Sequence, residues 1–353
     1  MKKTLALILG AVMALSLVAC AKTPGNGGTE AKGSVYYLNF KPEADQAWQD
    51  LAKTYTEQTG VEVKVVTAAS GDYNNSLTSN IGDVTIFNIG NMSGLKDWDE
   101  YALDLTGTAL AGELATNDFN LYNEAGELKA MGYCYESFGI IVNTKLLAEM
   151  GIEVNGYADL IQPELKGKII SADPANSSSA FQCLIGMLYG MGNGDPMSKE
   201  AWDFIDKFLV NLDGKVASSS SQVYNGVANG EYAVGLSYED PCVELQAKGE
   251  QPVKVVYAVE GTIFPGESVQ IIKGAPHMEN AKKFVDFVLS EESQNAVAST
   301  ICLRPLRAGV PTNEKMIPSD EIKQFDTYSI KYVAEHKAEI VKTYVDHVEM
   351  TME

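Results

Sequence analysis

Residues 34–66 read SVYYLNFKPEADQAWQDLAKTYTEQTGVEVKVV, and this stretch decides the fold class. Residues 35–40 are rich in β-branched and aromatic side chains and stop at Pro42, which is typical of a strand. Residues 43–60 place their apolar side chains at helical spacing, and residues 61–66 read as a second strand. A strand, a helix and another strand in succession favour a parallel α/β sheet.

The same alternation continues along the chain, which has 353 residues. That length exceeds what one hydrophobic core normally supports and suits two α/β lobes. Extended segments are predicted at residues 83–87, 131–143, 168–171, 232–237, 253–257 and 262–273. Helices are predicted at residues 145–150, 180–189, 199–212 and 280–289, and over most of the chain from residue 321.

The N-terminus has the features of an export signal. Two lysines precede an apolar run of about 15 residues, which is short for a membrane span of roughly 20. Residues 17–20 (LVAC) resemble a bacterial lipobox, which implies cleavage after residue 19 and lipid on Cys20. The alternative is a plain signal peptide with a chance cysteine. We therefore expect a protein anchored by lipid to the outer face of the cell membrane, extracellular or periplasmic.

Composition excludes several classes of partner. The formal net charge is −20 at pH 7, and loss of the two leader lysines would make it −22. A surface with this much negative charge repels nucleic acid and anionic lipid. Neither is therefore expected as a ligand. Residues 21–33 (AKTPGNGGTEAKG) hold few apolar side chains and are predicted to be a flexible tether.

Cysteine and histidine usage indicates no metal site and no cofactor. No cysteine forms a CxxC pair, and no histidine has metal-ligand spacing with a cysteine or another histidine. Besides Cys20, the cysteines are Cys134, Cys183, Cys242 and Cys302. An exported protein could join these four as disulfides or keep them as buried thiols, and both alternatives stand.

Several segments, in order along the chain, resemble bacterial extracellular solute-binding proteins, the receptors of ABC importers. Residues 48–66 resemble their opening helix–Gly–strand unit, and residues 138–150 (FGIIVNTKLLAEM) resemble a segment of maltose-type receptors. Three other segments resemble the branch that includes ferric, phosphonate and hexose-phosphate receptors. They are residues 170–179 (ISADPANSSS), 230–240 (GEYAVGLSYED) and 260–274 (EGTIFPGESVQIIKG). Residues 281–307 resemble both branches.

The resemblance implies a periplasmic-binding-protein-like fold of type II, in which two α/β lobes close on a hinge over a ligand cleft. The domain boundaries expected on this basis are a signal peptide at residues 1–19 and the lipidated cysteine with its tether at residues 20–33. Lobe 1 is expected at residues 34–129 and 262–302, and lobe 2 at residues 130–261 and 303–353.

Ligand-binding residues are expected in loops after strand ends, where open α/β sheets bind ligands. These loops are small and polar in this chain. The candidates in lobe 1 are Asn39, Ser70, Gly71 and Asn91. The candidates in lobe 2 are Asn176, Ser177, Ser178, Ser219, Tyr238, Glu239 and Asp240.

Two of these groups have alternative interpretations. Residues 176–178 precede an apolar helix, whose N-terminal N–H groups suit an anion or a sugar hydroxyl, but an ordinary N-cap has the same pattern. Glu239 and Asp240 can accept hydrogen bonds from vicinal hydroxyls, or they simply form a turn with Pro241. Arg304 suits a phosphate or an internal ion pair. Trp98, in a polar stretch, is the tryptophan best placed to stack on a sugar.

The expected function is capture of a small polar solute, most of all a sugar or sugar phosphate, and its delivery to an ABC permease by a monomeric receptor. A phosphonate or another organic anion is the next alternative. Ferric iron ranks third, because the ferric receptors commonly have two adjacent tyrosines where this chain has Tyr238 and Glu239. A secreted hydrolase is the rival class, but GxSxG, HExxH and GxxxxGK motifs are absent, so no catalysis is expected.

Overall fold

The computed structural model describes residues 33–68, 70–80, 82–90, 98–108, 114, 116–249 and 251–352, with the side chains of 70, 71 and 352 excepted. The predicted leader, Cys20 and nearly all of the tether lie outside the described residues, as does Asn91. Gly33–Glu353 forms one compact unit. Among the described helices, none combines the length and the apolar character needed to cross a bilayer.

The opening segment folds as predicted. Strand β1 (Ser34–Asn39) leads through a short 3₁₀ turn to helix α1 (Asp45–Thr59) and then to strand β2 (Glu62–Thr67). Strands β1 and β2 pair in parallel, and strand β3 (Ile86–Gly90) pairs in parallel with the other edge of β1. Helix α1 ends where Gly60 adopts a left-handed conformation with φ 72°, which costs glycine little.

The first sheet is completed by strands from distant parts of the chain. These are β4 (Leu121–Tyr122), β5 (Leu128–Tyr135), β11 (Gly266–Ile271) and β12 (Arg304–Pro305). The strand order is β12-β5-β11-β3-β1-β2, with β4 paired to β5. Helices α2 (Ser70–Ser79), α8 (Met278–Val288) and α9 (Glu291–Ala296) belong to this lobe. Ser70 and Gly71, which were expected in a loop after a strand, instead lie at the start of helix α2.

The second sheet has the order β10-β6-β9-β7-β8. Its strands are β6 (Phe138–Asn143), β7 (Ile169–Ala172), β8 (Val216–Ala217), β9 (Val234–Tyr238) and β10 (Val253–Val256). Its helices are α3 (Thr144–Met150), α4 (Ser178–Met191), α5 (Lys199–Leu212), α6 (Ser220–Ala228), α7 (Glu239–Lys248) and α10 (Ile330–Met352). Strand β9 pairs in parallel with β7 and antiparallel with β6.

The chain crosses between the sheets at two adjacent segments. Residues 131–143, predicted as one extended run, form β5 in the first sheet and β6 in the second, with Glu136 and Ser137 between them. The return crossing lies between β10 and β11, and its Pro265 carbonyl accepts a hydrogen bond from the Glu136 N–H at 3.3 Å. Because β5 pairs with β11, residues 130–135 lie in the first sheet, whereas the predicted boundary assigned them to lobe 2.

Each lobe has its own core. Helix α10 packs Val333, Ile340 and Tyr344 into the core of the second lobe. This helix begins at Ile330, so most of the chain from residue 321 is helical as predicted, while residues 322–329 form turns and irregular backbone. The prediction that Trp98 stacks on a sugar is also wrong. Its indole is 4% exposed and packs with Phe87 at a ring-centroid distance of 6.1 Å.

Candidate ligand cleft

A cavity of about 240 Å³ lies between the two sheets. The first lobe lines it with Phe40, Tyr73, Ile89 and Glu267, and the second lobe with Phe138, Gln182, Lys337 and residues 174–178. Glu136, from the first crossing segment, also lines it. A concave site with apolar walls and a few convergent polar groups is the usual form of a small-molecule site.

One wall of the cavity is the N-terminal end of helix α4. Ser177 is the N-cap, and its Oγ accepts a hydrogen bond from the Ala180 N–H at 3.3 Å. Asp173 shapes the preceding turn, because its carbonyl accepts from the Ser177 N–H at 2.8 Å. The first N–H groups of a helix have no intrahelical acceptor, so Ser178 and its neighbours present donors and a partial positive charge. Lys337 of α10 lines the same cavity.

A second helix begins beside this end of α4. Ser219 is the N-cap of α6, and its Oγ accepts from the Gln222 N–H at 3.4 Å. Ser179 Oγ and Ser220 Oγ lie 2.6 Å apart, so the two N-terminal turns are joined by a hydroxyl hydrogen bond. This contact fixes where the α4 N-terminus points, although Ser219 itself is not among the residues that line the cavity.

Another part of the cavity wall, called the acidic wall, is built around a buried lysine. Lys41 follows β1, and its Nζ lies 2.8 Å from Glu136 Oε1, 2.8 Å from Glu267 Oε1 and 3.2 Å from Asp240 Oδ2. The Lys41 side chain is only 5% exposed. Burial alone would lower the pKa of Lys41, but the carboxylates of Asp240, Glu136 and Glu267 raise it well above its usual value.

Two carboxyl groups of the acidic wall have raised pKa values. Burial, together with the neighbouring Asp240 carboxylate, raises the pKa of Glu136 well above that of an ordinary glutamate. Burial also raises the pKa of Asp240, to about 7, against the lowering effect of Lys41 and a hydrogen bond from Glu136. The two carboxyl groups therefore titrate as a coupled pair that retains a proton to higher pH than isolated carboxyl groups do.

A second buried ion pair lies nearby and does not face the cavity. Arg304 binds Glu239 through two contacts, Nε to Oε1 at 2.7 Å and Nη2 to Oε2 at 3.0 Å. The same carboxylate accepts from the Ser137 N–H at 2.9 Å and from Tyr257 Oη at 2.8 Å. Of the two interpretations of Arg304, the structure therefore shows the internal ion pair.

The predicted ligand-binding residues are thus divided between the cavity and its supports. Asn176, Ser177 and Ser178 line the cavity. Asn39 is fully buried; its Nδ2 donates to the Lys41 carbonyl at 2.6 Å and its Oδ1 accepts from Asn88 at 2.9 Å. The Tyr238 hydroxyl donates to Glu43 at 3.1 Å. Tyr238 is the N-cap of α7, whose first residues are Glu239 and Asp240, so this segment starts a helix and is not only a turn.

Sequence reasoning missed the acidic wall. In the sequence, Lys41 lies between a predicted strand and Pro42, where a lysine is ordinary. Nothing in that pattern indicates that it is buried, which is unusual for a lysine. Glu136 and Glu267 interrupt the apolar segments 131–143 and 262–273, and this interruption is the signal that could have identified them. Gln182 and Lys337 left no such signal, because each occupies an ordinary position on a helix.

The described cysteines Cys134, Cys183, Cys242 and Cys302 are buried free thiols. Within the described ranges, no group of three His, Cys, Asp or Glu side chains is arranged to hold a metal ion. The open question of disulfide or thiol is therefore answered in favour of thiols for these four residues.

Known proteins resemble this chain over most of its length. The family described as bacterial extracellular solute-binding protein matches residues 50–324. An uncharacterized protein of Haemophilus influenzae is 34% identical over 158 residues, a match that spans 44% of each chain. A putative 2-aminoethylphosphonate-binding periplasmic protein of Salmonella typhimurium is 25% identical over 327 residues, 87% of this chain and 86% of its own. The match thus spans less than half of the first relative and most of the second.

The fold agrees with solved structures. The periplasmic binding protein AfuA from Actinobacillus pleuropneumoniae, with fructose-6-phosphate bound, has a TM-score of 0.70 and 21% identity. That comparison covers 90% of this chain and 99% of the other. At this identity the likeness establishes the two-lobed fold alone. Because the family match extends over more than half of the sequence, the chain belongs to the bacterial extracellular solute-binding proteins.

Proposed function

We propose that this receptor captures a small organic solute bearing an oxyanion, with a sugar phosphate as the leading candidate, and delivers it to an ABC permease without catalysing a reaction. The observation that carries the proposal is the cavity wall formed by the α4 N-terminus and Lys337. Helix N–H groups and an ammonium group together favour a phosphate or phosphonate group. The hydroxyl groups of Ser177 and Ser178 supply further hydrogen bonds.

A phosphonate is the second candidate, and a specific observation favours it. The Salmonella relative named for 2-aminoethylphosphonate aligns over 87% of this chain. The same wall suits either group, because phosphate monoesters and phosphonates present the same three oxygens. A neutral sugar is less favoured, because it would leave Lys337 without an anionic partner at the ligand.

We also infer that the receptor is a monomeric lipoprotein, with Cys20 as the lipid-bearing residue after removal of residues 1–19. The support is the LVAC sequence at residues 17–20 and the family's extracellular location. Metabolic labelling with a radioactive fatty acid tests it. Label should enter the wild-type chain and be lost from Cys20→Ser, while Cys134→Ser, which changes a buried thiol, should retain it.

Thermal melts of residues 21–353 test the ligand class, since Gly33–Glu353 is a compact unit. The compounds are glucose, glucose-6-phosphate, fructose-6-phosphate, ethylphosphonate and ferric citrate. A ligand at 100 times its Kd adds about 2.7 kcal/mol to the free energy of unfolding, which a melt detects. A shift with a phosphorylated or phosphonate compound, and unchanged ligand by ³¹P NMR, supports the proposal. A shift with glucose alone or ferric citrate alone contradicts it.

Lys337→Met tests whether the oxyanion binds at the wall formed by the α4 N-terminus and Lys337. Lys331→Met is the matched control. Both lysines lie on α10, but the Lys331 side chain is 84% exposed and pairs at 4.0 Å with Glu335 on the surface. We expect Lys337→Met to weaken binding of the phosphorylated compound at least tenfold and Lys331→Met to leave it unchanged. Equal effects of the two substitutions would contradict placement of the oxyanion at this wall.

A further inference from the structure

The acidic wall of the cavity holds more negative than positive charge. Glu136, Asp240 and Glu267 all contact Lys41, which is the single described lysine or arginine within 4.0 Å of them. Even with one proton shared by Glu136 and Asp240, the three carboxyl groups carry two negative charges against the single positive charge of Lys41. Buried charge of this kind is costly unless something compensates it. Of the three, Glu136 and Glu267 line the cavity.

Three buried acceptor atoms at or near the cavity have no donor among the described residues. The Oε1 atom of Gln182, a residue 5% exposed, has no donor among the described residues. Glu136 Oε2 and Asp240 Oδ1 likewise have no protein donor in the described part of the chain beyond the proton that the pair shares. Buried acceptors are nearly always satisfied, so the oxygens of Gln182 and Glu136 indicate that a bound molecule supplies the donors. Gln182 and Glu136 both line the cavity.

Two kinds of solute group could supply these donors, and charge decides between them. A sugar hydroxyl donates one hydrogen bond but leaves the net negative charge uncompensated. A primary ammonium group donates three hydrogen bonds and compensates one charge. It also favours release to solvent of the proton that Glu136 shares with Asp240, because a cation beside a carboxyl group favours the ionised form.

Resting on the proposed function, we propose that the solute is a zwitterion, with its oxyanion at the α4 N-terminus and an ammonium group at the wall formed by Glu136, Glu267 and Gln182. Glu267 belongs to the first lobe, Gln182 and the α4 N-terminus belong to the second, and Glu136 lies in the crossing segment between them. A molecule with both charges therefore bridges the cleft, and each charge meets a wall of opposite sign. The cavity volume of about 240 Å³ accommodates a small molecule of this kind.

Ligand pairs that differ only in the amine test this inference by calorimetry on residues 21–353. The pairs are 2-aminoethylphosphonate with ethylphosphonate, and glucosamine-6-phosphate with glucose-6-phosphate. In at least one pair, we expect the amine to bind at least tenfold more tightly. Titrations in two buffers of different ionisation enthalpy should show proton release on binding of the amine that exceeds the release with its partner.

Glu136→Gln removes the charge while keeping the shape, and Glu267→Gln provides a second variant in case the first is unstable. Each should reduce the preference for the amine to less than threefold, and Glu136→Gln should abolish the excess proton release. Glu57→Gln, on the exposed face of α1, is the control and should change neither.

The outcomes separate this inference from the function on which it rests. Equal affinity within both ligand pairs overturns the zwitterion and leaves the oxyanion receptor standing. An amine preference that persists in both glutamate variants overturns the assignment of the acidic wall. Binding of none of the four compounds counts against both the inference and the proposed function.

Discussion

Lys41 Nζ lies 3.2 Å from Asp240 Oδ2, although 199 residues separate the two in the sequence. Lys41 follows a strand of the first lobe, and Asp240 lies in the first turn of α7 in the second lobe. The contact therefore joins the lobes beside the crossing residue Glu136. An ion pair in this place stabilises one relative position of the lobes, and its geometry must change if they move apart.

Lys41→Met should destabilise the protein strongly. The substitution leaves Glu136, Asp240 and Glu267 without their cation, and uncompensated buried charge costs about 3–5 kcal/mol. Chemical denaturation at pH 7 measures the free energy of unfolding. Lys53→Met is the control, because Lys53 is 76% exposed and pairs with Glu57 at 4.0 Å; its effect should stay within about 0.5 kcal/mol. A loss for Lys41→Met no larger than that of the control would contradict the role of the cluster.

The Asp240 carboxyl should make stability fall as pH rises. Its pKa is raised to about 7 in the folded chain from 3.8, so between these values the folded state holds a proton that the unfolded state lacks. The free energy of unfolding then decreases with pH, by at most about 1.4 kcal/mol per pH unit for one proton, and levels off above pH 7. Glu136, with its raised pKa, contributes in the same direction.

Denaturation of the wild type and Asp240→Asn at half-unit steps from pH 4 to pH 8 checks this expectation. The wild-type value minus the variant value should decrease across the interval. Asp203→Asn, which removes a surface carboxylate 50% exposed, should give a nearly flat difference. A difference that increases with pH for Asp240→Asn would contradict the raised pKa.

Substitutions of the two helix N-caps Ser177 and Ser198 should separate effects on the free energy of unfolding from effects on ligand affinity. Each Oγ accepts from the N–H three residues later at 3.3 Å, Ser177 at the start of α4 and Ser198 at the start of α5. Replacement of either by alanine should cost about 1 kcal/mol of stability. Only Ser177→Ala should weaken binding of the phosphorylated or phosphonate compound, because only Ser177 lines the cavity. Calorimetry measures affinity, and equal affinities for the two variants would argue against a ligand at this helix end.

Arg304 and Glu239 should behave as one unit. Both side chains are 0% exposed, so removing one leaves the other as a buried, unpaired charge. Arg304→Met and Glu239→Gln should each cost several kcal/mol, on the order of 3–5, while the double variant should lose much less than their sum. A double-mutant cycle by denaturation gives the coupling, and strictly additive effects would contradict it.

The order of the elements was predictable from sequence, whereas the part played by each polar residue was only partly so. Hydrophobic periodicity located β1, α1 and β2 to within a residue or two, since local spacing determines them. It could not show that residues 131–143 cross from one sheet to the other, because strand pairing depends on distant residues. The helix start at Ser177 was readable for the same local reason, and it is the part of the predicted site that lines the cavity.

Polar residues that meet only through tertiary structure were beyond prediction. Glu239 and Asp240 are adjacent in sequence, yet one binds Arg304 and the other Lys41, and neither lines the cavity. No sequence pattern reveals which distant cation each carboxylate will contact. From the sequence alone, both carboxylates were therefore predicted to bind a ligand. The prediction that Trp98 stacks on a sugar was wrong for a related reason, because its polar neighbours in sequence are not its neighbours in space.

The buried thiols provide a built-in chemical probe of how readily each lobe of this receptor loosens. Cys134 lies on β5 in the first lobe and Cys183 on α4 in the second, and both are 0% exposed. Burial raises the pKa of each thiol, so a reagent such as iodoacetamide reacts with either only after that lobe loosens. Mass spectrometry of briefly labelled protein can therefore report, lobe by lobe and without any introduced group, which half of the receptor opens first and whether a bound solute delays both halves together.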